Sequence, residues 1–331
     1  MLARSCAGIH VTRHIIVGVD PHHCDSAPVG LGALLGRVVR APMRVVGVHA
    51  ASLPTTDRDE PTGVRAGTHG DLEALRRRVL DLGADGREFH GVPYSIEAVA
   101  GSSAAETLHD LAHESQPSVL VVGSSRRGPL RRVVAGSVTE RTIRGAPCPV
   151  AIAPRGYVDP QRQLQRVGVG YVDTPEGRLA LRSAAVLCRE AGARLTAYTM
   201  VDQAPHGILT PADFSREELE RRVQHIHAAF DRQLSERSEV VDGELVVIET
   251  GGLDELIERT TELDVLVCGS RGHRPLAAAA LGGVTHSLLR AASCPLLLVP
   301  RGVENPLAPR LPPPTVVPSI RARAEKGESD G

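Results

Sequence analysis

Lysine is almost absent from this chain of 331 residues, and its one lysine is Lys326, close to the C-terminus. A P-loop requires a lysine after its glycines, a protein kinase requires a lysine on a strand, and a Schiff-base enzyme requires a buried amine. Because no lysine occurs in the rest of the chain, these three classes are excluded. Any phosphate that it binds must be held by backbone N–H groups and arginine.

The sequence also lacks a long apolar run, a paired-cysteine motif and an excess of charge. No apolar run approaches the roughly 18 residues of a membrane span, and polar residues interrupt the N-terminal segment where a signal peptide needs an unbroken apolar stretch. The formal net charge of -1 gives no reason to expect a nucleic acid or a membrane as partner. The six cysteines include no C-x-x-C pair, which favours reduced, buried thiols. We therefore expect a cytoplasmic protein.

The chain does contain an internal repeat. The segment "APCPVAIAPRG" at 146–156 aligns with "ASCPLLLVPRG" at 292–302, which is an offset of 146 residues. A period this long indicates two copies of a whole domain rather than a solenoid. We assign the two copies to residues 9–156 and 163–302, after an N-terminal tail of residues 1–8.

Each copy alternates strands with helices. In the first copy we predict strands near 14–19, 43–49, 89–99 with a break, 118–123 and 149–154, and helices near 27–40, 71–82, 103–114 and 137–145. Strands such as "SVLVVG" are near-continuous apolar runs, which are typical of a parallel sheet covered on both faces. The sequence predicts an α/β fold with two tandem, doubly wound, five-stranded parallel-sheet domains of Rossmann-like type.

We expect the two halves to pack as an intramolecular pseudo-dimer through their last strands, because an unpaired edge strand is unfavourable. A homodimer of the whole chain is a further expectation. After Gly302 the chain contains six prolines between Pro306 and Pro318 and then a charged end. This composition predicts a Pro-rich, disordered tail over residues 303–331.

In a doubly wound sheet, a ligand binds beyond the carboxyl ends of the strands, at the point where the winding reverses. If the reversal lies between the first and fourth strands, Asp20 and the loop after Gly123 face each other across that crevice. Gly136 and Ser137 then open the next helix, whose first N–H groups suit a phosphate.

These residues resemble the universal stress protein family in its tandem, two-domain form. Nucleotide-binding members carry Gly, two residues, Gly, nine residues and then Gly-Ser or Gly-Thr, with an aspartate after the first strand. The resemblance implies a stress-response regulator that binds an adenine nucleotide, ATP, with Mg²⁺ only as its companion. In the first half it assigns the site to the following residues: Asp20, Gly123, Arg126, Gly136, Ser137 and Val138. In the second half it assigns Gly269, Gly272 and Gly282.

Both halves depart from the family pattern. In the first half, Arg126 replaces the second glycine and either obstructs a turn that needs positive φ or places its guanidinium beside the phosphates. In the second half, the hydroxyl position is Gly283 and the aspartate position is Val172, with Asp173 one residue later. Because the second half lacks the aspartate, we expect the first half to be the binding half.

Other interpretations need no ligand. Ser137 and Glu140 have the spacing of a capping box, and the arginines of residues 126–132 suit a solvated surface. The pairs His22 and His23, and His109 and His113, lack a third ligand, so we expect no metal site. No catalytic constellation is evident, and at most slow ATP hydrolysis is expected. The alternative to a nucleotide-sensing regulator is therefore a nucleotide-free scaffold with degenerate sites.

Overall fold

The structure is a computed structural model that describes residues 13–21, 25–50, 88–158, 163–201, 216–235, 242–248, 252–270 and 282–303, with residues 73–74, 76–77, 81 and 307. Some of the sequence-based expectations lie outside these residues. They concern Gly272, His22 and His23, the N-terminal tail, most of the predicted helix 71–82, and the C-terminal tail except for residues 303 and 307.

The first half follows the predicted alternation of strands and helices. Its elements are β1 (Ile15–Val19), α1 (Ser26–Val39), β2 (Met43–Ala50), β3 (Glu88–Phe89), β4 (Val92–Gly101), α2 (Ala104–Ser115), β5 (Val119–Gly123), α3 (Ser137–Ile143) and β6 (Val150–Ala153). The predicted break in the third strand is the turn between β3 and β4, where His90 has φ 49° and Gly91 has φ 77°. Helix α2 begins as its sequence indicates, because Ser103 Oγ accepts a hydrogen bond from the Glu106 N–H at 3.5 Å.

The second half repeats this arrangement. Its elements are β7 (Arg166–Gly170), α4 (Pro175–Ala191), β8 (Arg194–Met200), α5 (Arg216–Ser235), β9 (Gly243–Ile248), α6 (Gly252–Arg259), β10 (Val265–Gly269), α7 (Gly283–Ala291) and β11 (Leu296–Val299). Helix α4 starts with Thr174 as N-cap and Pro175 in its first turn, and it ends at Gly192 with φ 66°. Among the helices in the described part of the chain, none is long and apolar enough to cross a membrane.

The strands form one sheet in the order β3-β4-β2-β1-β5-β6-β11-β10-β7-β8-β9. Within each half the five main strands are parallel, and β6 pairs with β11 in antiparallel register, with Ala151 opposite Leu297. The expected pairing of the two last strands is therefore present. This pairing joins the two five-stranded parallel sheets into one, and the short β3 adds a strand at one edge.

Alternate residues of the strands enter two apolar layers, one on each face of the sheet. Ile15 and Val17 pack on the face covered by α1 and α4, whereas Ile16 and Leu120 pack on the opposite face. Both layers contain residues from both halves, so the core continues across the junction. Burial on both faces explains why these strands are apolar without alternation.

Leu307 departs from the expectation of a disordered tail. Its side chain is 1% exposed and belongs to the α1 and α4 layer. Its carbonyl oxygen accepts a hydrogen bond from the Arg13 guanidinium at 3.2 Å, and the same guanidinium bonds Val39 O at 3.0 Å. This residue of the tail is therefore part of the core.

Candidate functional site

The first-half crevice lies where the winding of the sheet reverses. Strand β1 pairs with β2 on one side and with β5 on the other, as the sequence-based interpretation required. Asp20 directly follows β1 and Gly123 ends β5. The loop after β5 returns towards β1, so that Arg126 Nη1 lies 3.6 Å from Asp20 Oδ2.

Arg126 is accommodated without strain in the backbone. Among the described residues other than glycine, positive φ occurs at Arg40, His90, Gln116 and Arg131, and not at Arg126. In this structure Arg126 therefore does not occupy a turn with positive φ. Its side chain is 59% exposed and that of Asp20 is 42% exposed, so this ion pair is open to solvent.

The loop from Ser124 to Gly136 is folded by its own hydrogen bonds. The Ser124 N–H and hydroxyl both donate to Ala153 O, at 3.0 and 2.7 Å. The Ser125 N–H donates to Val134 O at 2.6 Å, and the Arg155 guanidinium donates to Gly128 O at 2.7 Å. These bonds bring the two ends of the loop together beside β5.

The start of α3 differs from the capping-box prediction. The N-cap is Gly136, with φ -87° and ψ 175°, and no side chain caps the helix. Ser137 is the first helical residue, and both Ser137 and Val138 are exposed, with Val138 at 45%. The Ser137 side chain is therefore exposed at the crevice instead of acting as a cap, and α3 ends two residues earlier than predicted.

Glycine at position 136 is not required by the backbone. Its φ is negative, and a Cβ would lie 3.6 Å from Ser125 Cβ, which is ordinary contact. At Gly123, by contrast, a Cβ would meet Pro28 Cγ at 3.1 Å. Neither the backbone conformation nor the packing therefore explains a glycine at position 136.

In each half, one threonine links the helix after the crevice loop to the end of the preceding strand. These two threonines were not identified from the sequence. Thr139 Oγ1 donates to Gly123 O at 2.8 Å, and Thr285 Oγ1 donates to Gly269 O at 3.2 Å. Both threonines are buried, at 4% and 5% exposure. The internal repeat could have identified them, because the two threonines align at the repeat offset of 146.

The second-half crevice has different residues around the end of its central strand. A Cβ on Gly269 would lie 3.2 Å from Glu176 Cβ, so the first turn of α4 packs against the end of β10. The Glu176 carboxylate is 11% exposed and pairs with Arg301 at 2.5 Å. Although burial would raise the pKa of Glu176, hydrogen bonds from backbone and from Arg301 lower it overall. The ionised form of this carboxylate is thus favoured by its partners beside the end of β10.

The aspartate of the second half is also engaged locally. Asp173 Oδ1 accepts from Arg178 Nε at 2.7 Å and from the Tyr171 hydroxyl at 3.4 Å. The hydrogen bond from Arg178 is the main reason why the pKa of Asp173 lies below its usual value. Gly282 is the N-cap of α7 with φ -61°, and Gly283 supplies no hydroxyl. Among the described residues of this crevice, the positions that correspond to Asp20 and Ser137 are therefore Val172 and Gly283, which have no polar side chain.

The remaining candidates have structural roles. The four described cysteines are buried and free, and burial raises the pKa of Cys148, Cys188 and Cys268 to about 12, which makes these thiols unreactive. His109 Nε2 lies 2.6 Å from the carbonyl oxygen of Thr142. Within the described residues, no group of three His, Cys, Asp or Glu side chains is placed to hold a metal ion.

Comparison with known proteins agrees with the tandem architecture. The model of the universal stress protein family matches residues 12–154 and 163–300. A universal stress protein of Mycobacterium tuberculosis is 27% identical over 292 residues, which cover 86% of this chain and 96% of the relative. A second one from the same organism is 25% identical over 290 residues, covering 82% of this chain and 98% of the relative.

Solved structures share the fold. The structure of a putative universal stress protein from Pseudomonas aeruginosa superimposes with a TM-score of 0.61 at 17% identity, covering 87% of this chain and 93% of that one. A universal stress protein from Archaeoglobus fulgidus superimposes with a TM-score of 0.56 at 16% identity, covering 88% of this chain and 98% of that one. With both domains matched by the family model, the chain belongs to the universal stress protein family and carries two such domains in tandem.

Proposed function

We propose that this protein is a stress-response regulator that binds ATP in its first domain and signals through a change in conformation or in partner binding. The observation that carries the proposal is the contrast between the two crevices. The first one presents Asp20, Arg126 and Ser137 to solvent. The second one contains the paired carboxylate of Glu176 instead.

Each group in the first crevice suits a different part of the nucleotide. The Asp20 carboxylate accepts hydrogen bonds and therefore suits the amino group or the hydroxyls of adenosine. The Arg126 guanidinium and the exposed Ser137 suit phosphate oxygens. Gly136 allows the phosphates to approach the backbone closely. Mg²⁺ would enter with the phosphates of ATP.

Such a site supports binding more directly than catalysis. No described group in the first crevice combines a nucleophile with a general base, so hydrolysis would be slow and secondary to binding. The regulatory output would then depend on which surface the nucleotide-bound form presents.

The test is a calorimetric titration with ATP of the wild type, Asp20→Asn and Asp173→Asn. We expect Asp20→Asn to weaken binding by about 1 to 3 kcal/mol, because the nucleotide loses a charged hydrogen-bond partner. Asp173→Asn is the control, since Asp173 is the aspartate next to Val172, which occupies the corresponding place in the second half. It should leave ATP affinity unchanged. Equal effects of the two substitutions would contradict the assignment to the first half.

A nucleotide-free scaffold is the second candidate, and the Asp20–Arg126 ion pair favours it because two site residues already bind each other. If the wild type releases no binding heat with ATP at millimolar concentration, the regulator proposal fails and the scaffold takes its place.

A further inference from the structure

The first-domain loop at the crevice is bonded to both halves of the molecule. On the side of its own half, the Arg131 N–H donates to Arg155 O at 2.8 Å, and Val134 O accepts from the Ser125 N–H at 2.6 Å. On the other side, the Val133 N–H donates to Ala292 O at 2.7 Å. The Ala135 N–H donates to Leu289 O at 2.8 Å. Along residues 133–135, the backbone groups therefore bond alternately to the second half and to the first half, as in a strand that lies between two others.

The acceptors in the second half are the last carbonyl groups of α7. Such carbonyls have no partner within their own helix and need one from outside. The first half supplies partners for Leu289 O and Ala292 O through its backbone, and the Arg132 guanidinium lies 3.5 Å from Ala291 O. The loop of the first domain thus supplies the hydrogen-bond donors for carbonyl groups at the end of α7.

The side chain of Val133 reinforces this attachment. It is fully buried, and it belongs to the apolar layer that also contains Leu289 and Ala292. Gly136 and Ser137 follow immediately after Ala135. Their position at the crevice is consequently determined by an anchor in the second domain.

We infer that the second domain positions the nucleotide loop of the first domain, with Val133 as the positioning residue and the end of α7 as its template. The inference rests on the proposed binding of ATP by the first domain. It assigns a role to a domain in which Val172 and Gly283 replace the aspartate and the hydroxyl of the family pattern. The first-domain site is incomplete without its neighbour, because Val133 and Ala135 of the loop both donate their N–H groups to carbonyl oxygens of the second domain.

The experiment uses the full chain with Val133→Ala, the conservative Val133→Ile and the matched control Val150→Ala. Val150 is 1% exposed in the same apolar layer and lies on β6, whose pairing joins the halves, but it lies outside the loop. Two quantities are measured: ATP affinity by calorimetry, and amide exchange of Ser125, Val133 and Ala135 without nucleotide.

We expect Val133→Ala to weaken ATP binding by about tenfold, because the loop loses its buried anchor, and to speed amide exchange at the three positions. Val150→Ala should lower the melting temperature but leave both quantities near wild type, and Val133→Ile should retain them. Equal changes in Val133→Ala and Val150→Ala, or unchanged exchange in Val133→Ala, would overturn the inference. If the wild type fails to bind ATP, the proposed function is wrong, and the amide exchange alone decides whether the second domain positions the loop.

Discussion

At the scale of single residues, Arg126 alters the charge of the first crevice. The family pattern has glycine at this position, and the arginine adds a cation 3.6 Å from Asp20 Oδ2. Since its backbone does not require positive φ, the substitution changes the charge of the site more than the shape of the loop. A bound triphosphate would compete with Asp20 for the guanidinium.

We expect Arg126→Gln to weaken ATP binding by about tenfold and to make it less dependent on salt, because a charge-assisted bond to phosphate is lost. Adenosine, which has no phosphate, should bind the variant at least as well as the wild type, since Asp20 is then released. Calorimetry with both ligands at two salt concentrations measures this. Arg127→Gln removes a neighbouring exposed charge and is the control. Tighter ATP binding by Arg126→Gln would show that the arginine obstructs the site.

At the scale of elements, the crevice depends on how α3 begins. The helix has Gly136 as its N-cap without a side-chain cap, and its first turn is tied to the end of β5 through Thr139. The same tie joins α7 to β10 through Thr285. The two domains therefore share the geometry of this junction, although only the first domain exposes a hydroxyl there.

Gly136→Ser separates helix stability from nucleotide binding. Serine is a better N-cap than glycine by a few tenths of a kcal/mol, and the backbone of Gly136 is extended, so we expect no loss in melting temperature. The added side chain occupies the face towards the crevice and should weaken ATP binding. A variant that is equally stable and binds ATP as well as the wild type would show that phosphates do not approach Gly136.

The two threonines provide a matched pair. Thr139→Val leaves the carbonyl oxygen of Gly123 without its donor, and we expect a loss of about 1 to 2 kcal/mol in the free energy of unfolding together with weaker ATP binding. Thr285→Val should lower stability by a similar amount and leave ATP affinity unchanged. Denaturant unfolding and calorimetry on both variants test this. A loss of affinity in Thr285→Val would place the nucleotide in the second domain.

At the scale of the whole molecule, the halves are joined by strand pairing, by shared apolar layers and by a residue of the C-terminal segment. The antiparallel pairing of β6 with β11 leaves neither strand as an edge. Leu307 follows the second domain in the sequence, yet it receives a hydrogen bond from Arg13 of the first. The C-terminal segment therefore also contributes to the junction of the two domains.

Two truncations measure this contribution. Deletion of residues 308–331 should leave the melting temperature nearly unchanged, because their composition is too polar and Pro-rich to offset the entropy of ordering. Deletion of residues 303–331 also removes the buried Leu307 and should cost about 2 to 3 kcal/mol, as should Leu307→Ala in the full chain. Equal stability of the two truncated proteins would show that Leu307 contributes nothing.

The sequence by itself determined the domain repeat, the fold class and the strands near the crevice. Periodic apolar runs and the offset of 146 are local or self-comparing signals, and they need no knowledge of distant contacts. The aspartate after β1 and the glycine that ends β5 were predicted for the same reason, because parallel strands end at a common edge of the sheet.

Only the tertiary structure decided how these residues are used. Whether Ser137 caps its helix or faces solvent depends on the path of a loop whose bonds go to the other domain. The burial of Leu307 depends on Arg13, which lies 294 residues away in sequence. Contacts of this kind depend on many weak interactions between residues that are far apart in the sequence. Composition and local pattern therefore do not reveal them. The same reason explains why the sequence could not show that Glu176 pairs with Arg301 in one half and that Arg126 pairs with Asp20 in the other.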